Sequence, residues 1–168
     1  RAENPDTAEV RLINDPNWTQ VGADGQHYGV RAWWDGQRIT ANLAFIGSEA
    51  ELRAALEHEK VHPLLDSPEG LAAIEDAIEQ ELGGDALANI QQRYKRGENE
   101  SEEQYKRRAY SEWFAHLRET SLSLWQRIIA RIRAWLAKFR LVNLSDEEIG
   151  LAILSRLERN YEAQSELV

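Results

Sequence analysis

The chain has 168 residues, 42% of them hydrophobic, a formal charge of −9 and no cysteine. Its length and apolar content suit one domain around an ordinary core, and its acidic balance argues against a surface built to hold nucleic acid, which needs clustered Lys and Arg. Without cysteine there is no disulfide, no thiolate metal site and no cysteine nucleophile, so any metal must rest on His and carboxylates.

No apolar run approaches the roughly 18 residues of a membrane span, and no signal-peptide pattern opens the chain. The start at Arg1 rather than Met reads as part of a larger polypeptide whose address is not legible here. Lack of cysteine suits reducing and oxidising compartments alike.

The first part, about residues 10–46, is rich in Gly, Asn, Asp and Trp and alternates in short stretches, which predicts strands joined by turns. Val10–Ile13, His27–Trp34 and Arg38–Phe45 are the candidate strands, and Asp35-Gly36 supplies a tight turn for a hairpin between the last two. In the third, Ile39, Ala41, Leu43 and Phe45 share one apolar face. Ser48 with Glu51 forms a capping box that opens a helix over about 49–62, with Pro63 expected to stop it.

Helical spacing then continues over about 68–161. Pro68–Leu82 ends at Gly83-Gly84, Ala86–Arg96 follows, and residues 97–102 read as a charged loop. Ser101 and Gln104 open a further helix with Tyr105, Ala109, Trp113, Phe114 and Leu117 near one side. An amphipathic stretch, Leu124–Phe139, turns Trp125, Ile128, Ile129, Ile132, Trp135, Leu136 and Phe139 inward. Ser145 with Glu148 caps a last helix bearing Ile149, Ile153, Leu154 and Leu157. Strands first and helices after make the class α+β, a small N-terminal antiparallel-edged sheet followed by a mainly helical part.

The chemistry lies in His58-Glu59-Lys60-Val61-His62, an H-E-x-x-H segment on the first helix. Residues four apart share a helix face, so His58 and His62 can both aim a ring nitrogen at one Zn2+. Glu59, one step along, sits beside the metal, where its carboxylate can take a proton from a metal-activated water and return it to the leaving amine. The bland reading of the same residues is a solvated His-rich helix face.

The segment Arg38–His62, strand then helix then H-E-x-x-H, resembles the core of the zincin metallopeptidases. That resemblance implies a hydrolase acting on a protein or peptide substrate, laid as an added strand on the sheet edge, with Ile39–Phe45 as that edge. The metzincin continuation is absent, since Pro63-Leu64-Leu65-Asp66 follows His62. The gluzincin branch takes its third ligand from a Glu on a later helix with a small residue three positions on, a form that Ser111-Glu112-Trp113-Phe114-Ala115 fits, 50 positions beyond His62. The resemblance thus implies Glu112 as third ligand, with Glu102, Glu103, Glu119 and Asp66 as competitors. It also implies a Tyr or His donor for the tetrahedral oxyanion: Tyr110, or His116 on the same face as Glu112, with His27 a further candidate.

More loosely, the whole pattern is similar to metallopeptidase-like domains embedded in multidomain proteins of bacterial phages and mobile elements, which implies a bacterial cytoplasm or delivery into a host cell. The alternatives are a non-enzymatic interaction module whose motif is incidental or structural, and a zinc amidase acting on cell-wall peptide. The basic residues of 127–140 admit an anionic lipid or nucleic-acid surface, though a helix of this kind more commonly packs its apolar face and solvates the rest.

Overall fold

The computed structural model describes residues 9–166, and the chain is α+β, 61% helix and 13% strand, with strands preceding helices. It forms two compact units, divided between Ser67 and Pro68.

In the first unit, β1 (Glu9–Ile13), β5 (Arg38–Asn42) and β4 (Ala32–Trp34) form a sheet in the order β1-β5-β4. β1 runs parallel to β5, with Val10 beside Ile39, whereas β4 runs antiparallel, with Trp34 beside Ile39. The turn from β4 to β5 is the expected one: Gly36 has φ +96°, and the Asp35 carboxylate accepts the Gln37 and Arg38 N–H groups at 2.8 and 2.9 Å. Only a residue without Cβ takes that φ cheaply.

The expected strand His27–Trp34 is two strands. β3 (His27–Gly29) pairs with β2 (Thr19–Val21), a strand the sequence did not announce, as a separate two-stranded hairpin, and the chain bends at Val30 before β4. Trp18 and Val30 hold the hairpin's base through a main-chain bond of 3.1 Å. The third strand is also shorter than expected, because Asn42 ends it: its side chain accepts the Ala44 N–H and opens a short 3-10 turn, Leu43–Phe45.

Helix α1 (Glu49–Asp66) starts at the Ser48 cap, whose hydroxyl accepts the Glu51 N–H at 3.1 Å. It does not stop at Pro63 but runs on to Asp66. Proline in a helix interior costs about 3 kcal/mol through the lost N–H and a clash. Here burial of Val61, Pro63, Leu64 and Leu65 offsets that cost, and the Trp34 indole N–H donates to Asp66 at 2.8 Å, fixing the last turn to β4.

The second unit comprises α2 (Pro68–Leu82), α3 (Ala86–Gln92), α4 (Glu102–Thr120), α5 (Leu122–Ala137) and α6 (Asp146–Glu166). Ile74, Ile78, Ile90, Trp113, Ile128, Ile129, Ile132, Leu136, Ile149, Ile153 and Leu157 form its core, whereas Trp135, Phe139 and Leu154 are only half-buried. Ser101 and Gln104 form a reciprocal capping box on α4, and Ser145 and Glu148 exchange the same two bonds at the head of α6. On α5 the cations serve packing: Arg127 and Arg131 both reach Glu81 of α2 at 2.6 Å, and Arg133 reaches Asp146 at 2.5 Å. Among the described residues, no helix is long and apolar enough to cross a membrane.

Candidate metal centre

His58, Glu59 and His62 lie in the second half of α1, a helix that contacts β4 and β5, and His62 immediately precedes Pro63. Their helical spacing brings the two imidazoles together, with ring centroids 6.3 Å apart and planes at 80°. One ligand atom from each of the three residues lies within 4.8 Å of the other two. Among the described residues this is the group of His and acidic side chains that could hold a metal ion.

Glu59 is more enclosed than His58. Its side chain is 12% exposed and its carboxylate lies 3.9 Å from His58 Nε2, whose own side chain is 45% exposed. Burial pushes the Glu59 carboxyl above its ordinary value, and both the His58 charge and a hydrogen bond from the Trp34 main chain pull partly the other way. Trp34 therefore touches α1 twice, through its main chain at Glu59 and through its indole at Asp66. Asp66, a competitor for the metal from sequence, is thereby engaged as an acceptor for tryptophan.

The expected edge strand has to be corrected. Arg38–Asn42 is the central strand, with Ile39, Thr40, Ala41 and Asn42 all buried, and β4 is the edge beside Glu59. The alternation Thr40, Asn42 reads as a solvent face, but those side chains are enclosed, and Asn42 is satisfied by exchanging bonds with the main chain of Asp15 at 2.9 and 3.0 Å. The Asn42 N–H bonds the Arg31 carbonyl at 2.7 Å, so the alternate main-chain groups, those of Ala32 and Trp34, point away from β5. Trp34 uses its outward position on Glu59.

Beside that edge lies a groove of about 520 Å³. His58, Glu59, Ala54, Ala55 and Glu51 of α1 line it, as do Gln20 and Tyr28 of the β2–β3 hairpin and the run Gly29–Ala32. The Tyr28 hydroxyl donates to Asp24, and Gly29 sits so close to Phe45 that a Cβ would come within 2.5 Å of its ring. The sequence offers one signal for this wall, Gly29 directly after Tyr28, and that signal is not specific. His27 is exposed and lies 3.3 Å from the Thr19 hydroxyl.

The remaining candidates belong to the second unit, on α4. Glu112 has a side chain 46% exposed and lies 3.6 Å from Arg108. Tyr110 is buried, with the Arg107 guanidinium 4.7 Å from its ring centre, and burial raises its pKa. His116 is exposed, and its carbonyl accepts the Thr120 hydroxyl at 3.1 Å. Comparison with protein-family models, with curated proteins and with solved structures finds no match to this chain.

Proposed function

We propose that this chain is a zinc-dependent peptidase of gluzincin type. The observation that carries the reading is the convergence of His58, Glu59 and His62 within 4.8 Å, on a helix that faces an edge strand across an open groove. The donor set suits the ion, since zinc takes imidazole nitrogen and carboxylate oxygen and a catalytic site keeps three protein ligands. His58 and His62 would hold it, and Glu112 is proposed as the third ligand on the sequence pattern alone.

Zinc, when bound, supplies Lewis acidity toward a carbonyl and lowers the pKa of water. The rest is work for the chain. Glu59 takes the proton of the attacking water on its carboxylate and passes it to the departing amine. Its enclosed position suits that role, because a carboxylate raised toward neutrality is a stronger base than an exposed one. The Trp34 main chain fixes the orientation of that carboxylate. The outward main-chain groups of Ala32 offer an extended peptide the bonds of an added strand. Tyr110 and His116 are proposed as oxyanion donors, again on the sequence pattern.

A second reading shares the same geometry: Glu59 lies close enough to both imidazoles to be a ligand itself, in a structural site with no activity. Glu59→Gln separates the two. As general base, its loss leaves the zinc content unchanged and lowers turnover of a peptide by about 10²–10⁴-fold. Loss of zinc from Glu59→Gln, with no hydrolysis of protein, peptide or peptidoglycan by the zinc-loaded wild type, assigns the site to structure instead.

A further inference from the structure

Among the described residues, Arg31 is the one Lys or Arg lining the groove, and its surroundings set it apart from most arginines of this chain. Arg38, Arg53, Arg96, Arg107, Arg108 and Arg118 each face an acidic side chain. Such pairing is the natural outcome in a chain with 29 acids and 20 bases. Arg31 is exposed, and among the described residues no ion pair or hydrogen bond engages its guanidinium. The acids sharing the groove are occupied: Glu51 accepts the Gly47 N–H at 2.7 Å, and Glu59 is held by Trp34 and lies beside His58.

Position adds to this. Arg31 precedes Trp34, the residue bonded to Glu59, by three places, which is about 10 Å along an extended chain. A peptide laid on the outward edge of β4 with its scissile bond at Glu59 therefore brings a group two or three residues away to Arg31. A guanidinium presents a planar fork of donors that fits a carboxylate with two bonds, a match that a neutral amide cannot make.

We propose that Arg31 is a specificity-determining residue that reads a carboxylate on the peptide a few residues from the bond to be cut. This rests on the peptidase reading for the path of the substrate. The carboxylate is either the free C-terminus of a short peptide or an Asp or Glu side chain within a longer one.

The test is binding without turnover. Calorimetric titration of the Glu59→Gln protein uses matched peptides in two arms, free C-terminal acid against amide and internal Glu against Gln. The expected result is a preference of about 10-fold for the acid form in one arm, which identifies the source of the carboxylate. Arg31→Gln added to the same protein should compress the preference to under about twofold, and Arg31→Lys should restore part of it. Thermal melts of both variants should match the parent, since no partner is lost. Equal binding of acid and neutral forms, no binding by any peptide, or a preference that survives Arg31→Gln overturns the proposal. If the preference depends on Arg31 while the zinc-loaded wild type cleaves none of these peptides, the hydrolytic reading fails and the Arg31 assignment stands.

Discussion

Glu59 is drawn in two directions, since burial disfavours its charge while the His58 charge and the Trp34 hydrogen bond favour it, and burial dominates. A carboxyl whose folded pKa is raised stabilises the fold fully only at acid pH, and that contribution is lost as pH rises through the folded value. Glu59→Gln is neutral throughout, so in metal-free protein its melting temperature should exceed that of the wild type by a margin that grows from pH 4 to pH 8. A margin independent of pH would show that the carboxylate is not penalised. Trp34→Phe removes the indole donor to Asp66, a hydrogen bond to a charged group, and should cost about 1–3 kcal/mol in urea denaturation. Asp66→Asn keeps an acceptor oxygen and should cost less.

Elements show where local rules win and where packing overrides them. Gly150 lies inside α6, where Ala would ordinarily be better by about 1 kcal/mol. A Cβ at that position would come within 2.7 Å of the Trp125 ring of α5, so Gly150→Ala should instead destabilise the protein by about 1–3 kcal/mol, measured by thermal melt. Ser101→Ala breaks a capping box and should cost about 1 kcal/mol. The capping boxes at Ser101 and Ser145, the Asp35-Gly36 turn and the Gly83 stop are legible in the sequence because each rests on residues within a few positions of one another, whereas the box expected at Ser48 is half formed, with the Glu51 carboxylate accepting the Gly47 N–H instead. The continuation of α1 past Pro63 is not legible, because it depends on buried Leu64 and Leu65 and on Trp34, 32 residues from Asp66. The break between β3 and β4 is hidden for the same reason, since the two pieces pair with different strands.

Across the whole molecule, the α+β class and the pairing of His58 with His62 follow from periodicity alone, since i and i+4 share a face on any helix. The edge strand does not, because alternation cannot tell a strand with a solvent face from one whose polar side chains are buried, as Thr40 and Asn42 are, the latter satisfied by the Asp15 main chain. The second unit holds most of the large buried apolar side chains, so residues 68–168 should melt cooperatively as a helical fragment; a non-cooperative melt would contradict this. Its clamp on Glu81 is charge-dependent. Hydrogen bonds from Arg131 and Arg127 hold that carboxyl below its ordinary 4.5, so the stabilisation is complete above the unfolded value and fades as pH falls through the lowered folded one. Glu81→Gln should flatten that acid limb in denaturation curves between pH 3 and pH 6.

Elemental analysis of the purified protein, beside His58→Ala, His62→Ala and Glu112→Ala, tests the metal centre most directly. About one zinc per chain in the wild type and none in the variants is the expected result for a catalytic site with three protein ligands. A wild-type protein that neither carries zinc nor takes it up when zinc is supplied would contradict the peptidase reading.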